Sequence, residues 1–363
     1  MIISFIVVNY NNSDQIRDLL ESIKASIEYC GGCVKVEVII VDNASRYDDY
    51  LKLNQLEKSY SKSQYSSIKV RVFRLSRNYG YSGGVNIGIK LASSDVVIVS
   101  NPDIVVEKDF FANLLKIYRF TERVFEKCII APKILIDKTN KINSTGMVLH
   151  VAGYGLLVNL NKESDQKSCN KAKPVLAPHG ALFIARKKVL SELGPFDPYY
   201  FAFFEDLDLG LRAYAKGYYV VYIPILIVRH FWGLTWGREL LKIKYYYVER
   251  NRLLTLLKNM PRRYISIFLP YVLISELISL AYAVVNRYPS MKIKIYADVL
   301  RSLEYIKRSR ASILSNAVPE YTYYLLRFTT IEFMHLIFPS KYMQMLNKLY
   351  KLINKMLCIP LQA

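Results

Sequence analysis

The chain has 363 residues, of which 52% are hydrophobic and 22% are charged. This composition excludes a disordered chain and an ordinary membrane bundle, and the length suggests about two domains. The formal net charge is +20, and residues 238–363 alone hold 20 Lys and Arg against 7 Asp and Glu. We therefore expect the C-terminal third to meet an acidic partner, such as anionic lipid, a lipid phosphate or nucleic acid.

The first hundred residues alternate between strand and helix. Apolar runs predict strands at 2–8, 36–41, 70–75 and 96–99. A helix from Ser13 or Asp14 to about Ile27 and a short helix from Gly83 or Gly84 to Leu91 are predicted between them. This alternation predicts an α/β fold with a mostly parallel sheet and right-handed crossovers. Met1 leads directly into the first strand, which favours a chain without a signal peptide.

Five cysteines are an odd number, and two of them stand close together in Cys30-Gly31-Gly32-Cys33. This spacing resembles half of a zinc clip, but no second pair follows at a useful distance. Two separate thiols in a glycine turn are therefore the favoured interpretation, and no feature demands an oxidising compartment.

Two acids follow predicted strands. Asp42 ends the second strand, and Asn101-Pro102-Asp103 follows the fourth. Because ligands of open α/β sheets bind beyond the carboxyl ends of the strands, these carboxylates are placed to hold a base, a ribose or a metal. Asp103 is equally typical of an ordinary turn, or of a ligand to a divalent cation on phosphates. The pattern indicates a nucleotide-dependent enzyme.

A glycine-rich stretch covers residues 78–88. Glycines allow close approach of a ligand, and the start of a helix attracts phosphate. The spacing matches neither the dinucleotide fingerprint nor a P-loop. A plain turn before a helix is therefore an equal interpretation.

Three carboxylates, Glu205, Asp206 and Asp208, follow an aromatic run at 199–204. They are typical of helix caps, and Asp208 with Arg212 forms a plausible i,i+4 pair. Three adjacent acids also repel one another, and burial raises the pKa of at least one, which favours a general base.

A histidine follows the apolar run 220–228. His230 is expected to be structural unless it faces Asp103. His179, beside Gly180, is placed to line a pocket.

Together these segments resemble glycosyltransferase family 2, the inverting nucleotide-sugar transferases of the GT-A fold, and in particular its rhamnosyltransferase-like branch. The resemblance spans residues 2 to about 236. The matching pieces are Val7-Val8-Asn9-Tyr10-Asn11, Val41-Asp42-Asn43-Ala44-Ser45, the stretch 78–88, Asn101-Pro102-Asp103, Gly180-Ala181, Gly194-Pro195-Phe196-Asp197, Glu205-Asp206-x-Asp208 and His230.

The resemblance implies a role for each matching residue. Asp206 would be the catalytic base, and Asp42 would accept a hydrogen bond from the imide of uracil or thymine. Asp103 and His230 would hold Mn²⁺ or Mg²⁺, with Asn101 in place of the first acid of the family's metal motif. The donor-binding set would be Asn9, Tyr10, Asn11, Asp42, Asn78, Gly83, Gly84, Asn86, Asn101 and Asp103, and the acceptor side Gly180, Ala181 and Glu205.

The implied activity is inverting transfer of a sugar, with rhamnose favoured, from a dTDP or UDP donor. The acceptor would be a hydroxyl of a saccharide or lipid-linked saccharide in glycan biosynthesis. The alternatives are a polyprenyl-phosphate sugar synthase and a non-catalytic protein that binds nucleotide sugars or nucleic acid. Nucleic acid is not the expected partner, because no known nucleic-acid module is present and the carboxylates would repel phosphates.

Residues 1–237 are predicted to form the GT-A domain, and residues 238–363 a helical, basic, membrane-associated region. Residues 264–286 lack Lys and Arg and are long enough to span a bilayer, but Pro270 and Glu276 lie inside this segment. A polar stripe favours a helix lying in the membrane interface over a buried core helix or a true span. This stripe consists of Ser275, Ser279, Ala283 and Asn286. The expected location is cytoplasmic, on anionic lipid at the inner face of the cell membrane.

Overall fold

A mixed sheet of ten strands lies at the centre of the computed structural model, which describes residues 1–62, 67–120, 126–231, 238–332 and 340–357. A second sheet of three short strands is separate from it. The strands are β1 (Ile2–Asn9), β2 (Lys35–Asp42), β3 (Ile68–Arg74), β4 (Val96–Ser100), β5 (Ile104–Val106), β6 (Cys128–Ile136), β7 (Ile142–Ser144), β8 (Met147–His150), β9 (Gly155–Leu157), β10 (Lys173–Pro174), β11 (Leu182–Arg186), β12 (Tyr219–His230) and β13 (Thr329–Thr330).

Twelve α-helices lie within the described residues. They are α1 (Ser13–Tyr29), α2 (Tyr47–Lys62), α3 (Gly80–Leu91), α4 (Phe110–Phe120), α5 (Lys187–Leu193), α6 (Glu205–Ala215), α7 (Arg238–Asn259), α8 (Arg262–Val285), α9 (Pro289–Arg301), α10 (Leu303–Ser315), α11 (Tyr321–Arg327) and α12 (Ser340–Leu357).

The large sheet has a parallel half and a mixed half. Strands β4, β1, β2 and β3 lie side by side and are all parallel. Strand β11 is antiparallel between β4 and β6, and β12 is parallel to β6. Alternate residues of β1 enter two different cores: Phe5 and Val7 pack with α1, whereas Ile6 and Val8 pack with α3. The predicted α/β fold, with a largely parallel sheet flanked by helices, is confirmed.

Three local predictions were incomplete or wrong. Helix α2 was missed, because Leu53 is its only fully buried apolar residue and its sequence shows little apolar periodicity. Helix α3 begins at Gly80, where a φ of 73° turns the chain, and not at Gly83 or Gly84. Cys30 and Cys33 form a disulfide and are not separate thiols.

The C-terminal region is helical, as predicted, and it makes buried contacts with the rest of the chain. The Tyr154 hydroxyl donates to Glu249 of α7 at 2.7 Å, and Arg252 donates to the Ala152 carbonyl at 2.7 Å. Strand β13 pairs with β8. The division of the chain at residues 237 and 238 stays a prediction.

Helix α3 packs closely against β1 because it presents glycine at Gly88. A Cβ at this position would overlap the Ile6 side chain. Gly88→Ala should therefore lower the free energy of unfolding by about 1–3 kcal/mol. Denaturant unfolding checks this, with the exposed Lys90→Ala on the same helix as the control, expected to change it by less than about 0.5 kcal/mol. Equal stability of the two variants would contradict the packing role.

Candidate active site

The carboxyl ends of β1 and β2 meet in a buried polar corner. Asn9 and Asp42 are paired across the two strands, and both are buried. The Asn9 amide donates to Asp42 Oδ1 at 3.1 Å and to Asp49 Oδ2 at 2.7 Å. Asp42 Oδ2 has no hydrogen-bond partner among the described residues, and Arg74 Nε lies 3.8 Å from it. A buried carboxylate oxygen without a donor can accept a ligand N–H, such as a pyrimidine imide.

The turn after β1 is held against the loop after β2. Asn11 has a left-handed φ of 61°, and its N–H donates to Ser45 Oγ at 3.0 Å. Its side-chain oxygen accepts from the Arg46 N–H at 2.8 Å. Tyr10, on the same turn, is 50% exposed, so its ring is accessible to a ligand beside Asp42.

The glycine-rich stretch is fixed by packing and by side-chain hydrogen bonds. Asn78 Oδ1 accepts from the Gly80 N–H at 2.8 Å and from the Asn43 amide at 2.9 Å. A Cβ on Gly84 would lie 2.7 Å from Val8 Cγ1. Gly84 therefore allows α3 to approach β1. This packing role depends on Val8, which is distant in the sequence.

Two further residues of this stretch also have neighbours within the protein. A Cβ on Gly83 would lie 2.7 Å from Tyr79 Cβ. The Asn86 amide donates to the Phe196 carbonyl at 2.6 Å, while its buried Oδ1 has no partner in the described part of the chain. The donor-binding role of Gly83, Gly84 and Asn86 stays a prediction.

Asp103 and His230 face each other across the end of the sheet, which was the condition for a functional role of this histidine. His230 Nε2 lies 3.3 Å from Asp103 Oδ1. The strands around them explain the placement, because Ile104 of β5 is paired with His230 at the end of β12. Burial alone would raise the pKa of Asp103. The nearby His230 and His179 have the opposite and larger effect, so the pKa of Asp103 falls below its ordinary value.

The other nitrogen of His230 is also bonded. Nδ1 lies 3.1 Å from Asn143 Oδ1, and the amide nitrogen of Asn143 has no partner among the described residues. A neutral His230 with its proton on Nδ1 would donate to this oxygen and offer the Nε2 lone pair, on the side of Asp103, to a cation. Oriented imidazole and carboxylate ligands of this kind suit a divalent cation.

The protein offers few side-chain ligands for a cation at this place. In the described ranges, no three His, Cys, Asp or Glu side chains come together as a group that holds a metal. Asp103 and His230 would supply two ligands to such a cation, and Asn101 is the neighbouring amide. Such a set fits Mn²⁺ or Mg²⁺ that takes its remaining oxygens from phosphates and water.

Residues Gly180 and Ala181 link the cation side to the carboxylate cluster. The Ala181 carbonyl accepts from the Asn101 N–H at 2.8 Å, and the Gly180 N–H donates to Asp206 Oδ2 at 2.7 Å. The Gly180 carbonyl accepts from the Tyr81 hydroxyl at 2.7 Å. One peptide segment therefore fixes the position of Asp206 relative to the end of β4.

The three carboxylates at the start of α6 are all buried, but their pKa values are shifted differently. Burial raises the pKa of Asp206 to about 6, although N–H groups of Gly180 and Leu207 favour its ionised form. Burial and the charge of Asp206 raise the pKa of Glu205 well above its ordinary value. A carboxylic acid with a pKa of about 6, beside a second acid whose pKa is raised further, is suited to accept a proton at neutral pH.

Asp208 is the anchor of this helix. Its carboxylate accepts from Arg212 Nε at 2.8 Å, from Lys258 Nζ at 2.8 Å and from the Asn259 amide at 3.0 Å. Burial alone would raise the pKa of Asp208, but Lys258 and Arg212 lower it well below its ordinary value. The predicted pair with Arg212 is confirmed, whereas the bonds from α7 were not predicted.

The loop before Asp206 has a strained backbone. Phe201, Phe203 and Phe204 have φ values of 65°, 67° and 72°, which are unfavourable for aromatic residues. The Asn251 amide of α7 donates to the Ala202 carbonyl and the Phe203 carbonyl, both at 2.8 Å. Such strain persists only where the surrounding structure imposes it, and it is common at active sites.

Several residues at the site were not among the predicted site residues. His179 was expected only to line a pocket, and its ring centroid lies 5.8 Å from that of His230. Burial and the charge of His230 lower the pKa of His179 to about 3, so it is neutral. Tyr81, Asn143 and Asn251 had no signal in the sequence, because each acts on residues at least 48 positions away.

The fold is that of a GT-A glycosyltransferase. The chain superposes on the crystal structure of GalNAc-T7 with UDP, GalNAc and Mn²⁺ with a TM-score of 0.56 and 16% identity, covering 84% of this chain and 57% of that one. Glycosyl transferase family 2 matches residues 4–194, more than half of the chain. The protein therefore belongs to glycosyl transferase family 2.

Two curated relatives are each similar to about three fifths of the chain. The low-salt glycan biosynthesis hexosyltransferase Agl10 of Haloferax volcanii is 25% identical over 219 residues, which are 58% of this chain and 61% of that protein. The rhamnosyltransferase WbbL of Escherichia coli K12 is 24% identical over 239 residues, 62% of this chain and 82% of that protein. The chain thus spans less than two thirds of Agl10.

We expect Asn251→Ala to impair catalysis through the loop that precedes Asp206. Removal of the amide leaves buried carbonyls without a donor and allows the strained loop to relax. The rate of sugar transfer should fall about 10–100-fold, because Asp206 is displaced. Steady-state rates and donor affinity measured together check this, and the affinity should change little.

Asn316→Ala, at an exposed helix end, is the matched control and should transfer at the normal rate. Equal loss of donor affinity and transfer rate in Asn251→Ala would indicate general unfolding of the site. It would contradict a specific effect on the position of Asp206.

Proposed function

We propose that this protein is an inverting glycosyltransferase that moves a sugar from a nucleotide diphosphate donor to an acceptor hydroxyl. One observation carries the proposal. Asp42, the facing pair of Asp103 and His230, and the buried Asp206 all lie at the edge of the sheet where β1, β2, β4 and β12 end. This edge provides for a nucleobase, a diphosphate and a reacting hydroxyl.

The proposed donor is a dTDP or UDP sugar. Asp42 Oδ2 is buried and has no hydrogen-bond partner among the described residues. The imide N–H of thymine or uracil would supply the missing hydrogen-bond donor. The similarity to the rhamnosyltransferase WbbL favours rhamnose as the sugar. Asn9, Asn11 and Asn78 shape the loops that would enclose the nucleotide.

The proposed chemistry is a single displacement. Asp206 removes the proton of the acceptor hydroxyl, whose oxygen attacks C1 of the sugar while the bond from C1 to the diphosphate breaks on the opposite side. The anomeric configuration is thereby inverted. Asp103 and His230 would hold a divalent cation, which when bound screens the negative charge of the departing diphosphate.

A hydroxyl acceptor explains the carboxylate cluster better than a phosphate acceptor does. A phosphate is already anionic and needs no base, and an ionised Asp206 would repel it. This favours a saccharide or lipid-linked saccharide over the polyprenyl phosphate of a sugar synthase. Gly180, Ala181 and Glu205 lie next to Asp206 and would be on the acceptor side.

Asp206→Asn keeps the shape of the base but removes its ability to accept a proton. Transfer should fall roughly 10²–10⁴-fold with donor affinity nearly unchanged. Radiolabelled sugar transfer checks this, with the exposed Asp165→Asn as the control. In the parent enzyme, kcat/KM should rise with pH through about 6, because Asp206 acts only when ionised. Near-normal turnover of Asp206→Asn would shift the base to Glu205.

Asp103→Ala and His230→Ala should each remove the part of donor binding that depends on the cation. Thermal shifts with a dTDP or UDP sugar, with Mn²⁺ and after chelation, measure this, because a ligand bound only by the folded state raises the melting temperature. Asn143→Ala should weaken Mn²⁺ binding about 10–100-fold by disorienting His230.

Asp42→Asn is the complementary variant, because it should weaken donor binding with and without Mn²⁺. Full transfer by the parent enzyme after exhaustive chelation would disprove the cation role and leave Asp103 as a positioning residue.

A further inference from the structure

Helix α8 has its polar and apolar faces reversed relative to an ordinary surface helix. In the described part of the chain it is the one helix long and apolar enough to cross a membrane. Its buried residues are Phe268, Tyr271, Ser275, Ser279 and Ala283. Three members of the predicted polar stripe, Ser275, Ser279 and Ala283, therefore face the protein, whereas Asn286 is exposed.

The outward face of α8 is apolar. Leu269, Leu273, Leu277 and Leu280 are 48%, 55%, 69% and 40% exposed, and Val284 is 56% exposed. Spacings of three and four residues place them on one side of the helix. From Leu269 to Val284 this side runs about 22 Å along the axis, at about 1.5 Å per residue. No charged residue lies on it between Arg263 and Arg287.

The single charge inside α8 points inward. Glu276 forms ion pairs with Arg252 of α7 and with Lys292 of α9, the latter at 2.8 Å. Glu249 completes the cluster by accepting from Lys292 at 2.6 Å and from Ser279 at 2.6 Å. Burial raises the pKa of Glu249, but Arg252 and Lys292 lower it to about 2, so the cluster holds two anions and two cations.

This cluster decides how α8 can meet a membrane. A helix crossing the bilayer would carry four buried charges from three helices into the hydrocarbon, which is costly. A helix lying in the interface plane keeps the cluster on the protein side and places only leucine and valine among the acyl chains.

The charges at the ends of α8 fit an anionic surface. Arg262 and Arg263 at its start and Arg287 after its end are exposed. Cations flanking an apolar face favour anionic headgroups. A second copy of the chain is a poorer partner, because pairing α8 with itself about a two-fold axis, parallel or antiparallel, brings arginine ends against arginine ends.

We propose that the outer face of α8 docks in the plane of an anionic lipid leaflet. This surface, residues Leu269, Leu273, Leu277, Leu280 and Val284 with Arg262, Arg263 and Arg287, holds the protein on the membrane without a spanning segment. Helix α7 connects it to the active site, because Arg252 joins the cluster behind α8 while Asn251 holds the loop before Asp206. Docking is independent of the proposed sugar transfer.

Flotation of the full chain with lipid vesicles tests this proposal. The parent protein should float with vesicles of phosphatidylcholine and phosphatidylglycerol, and less with phosphatidylcholine alone. Leu273→Gln with Leu277→Gln should weaken this binding about tenfold or more. Leu51→Gln, at a leucine of α2 that is 42% exposed, is the matched control and should bind normally. Far-ultraviolet circular dichroism confirms that each variant is folded.

Three results would overturn the proposal. Equal flotation of the double variant and the control would show that α8 is not the docking surface. A second copy of the chain would be the occupant of this face if two results came together. The parent protein would not bind anionic vesicles, and it would sediment as a dimer that the double variant converts to monomers. Resistance of the membrane-bound protein to alkaline carbonate would indicate a spanning helix in place of a docked one.

Discussion

The active site depends on the balanced charge of Asp208. This carboxylate is fully buried, and it is neutralised by Arg212 from its own helix and Lys258 from α7. Removing one partner of such a buried pair costs about 3–5 kcal/mol, since the remaining charge stays buried. The bonds to Asp208 therefore fix α6 against α7. Asp206, two residues earlier, is held in reach of the Gly180 N–H as a consequence.

Helix α7 has two functions, one on each side. Toward the active site, Asn251 and Lys258 hold the strained aromatic loop and Asp208. Toward the C-terminal helices, Glu249 and Arg252 form the ion cluster that turns the apolar face of α8 outward. The basic C-terminal region is thus structurally continuous with Asp206, the proposed catalytic base, although the family match ends at residue 194.

Three buried polar atoms that lack a hydrogen bond within the described residues lie at the candidate site. In the described ranges, Asp42 Oδ2, Asn143 Nδ2 and Glu205 Oε2 are buried without a hydrogen bond. Asp42 is proposed to bind the nucleobase, Glu205 is proposed to lie on the acceptor side, and Asn143 is bonded to the proposed cation ligand His230. Burying a polar group without a partner costs free energy, so such atoms are rare in a finished core. Their location indicates a site that is preorganised for a ligand, which would supply the missing partners.

Local sequence patterns determined the strands of the parallel half, the fold family and the order of Asp42, Asp103, Asp206 and His230, because strand ends and motif spacings are properties of neighbouring residues. Even the ion pair of Asp208 with Arg212 follows from helical spacing. Only the tertiary structure decided the rest. Tyr81, Asn143 and Asn251 act on partners brought together by the sheet and by α7, and Gly84 has its packing role only because Val8 lies beside it. The polar stripe of α8 was visible in the sequence, but its direction depended on Arg252 and Lys292, which supply the buried charges that turn it inward.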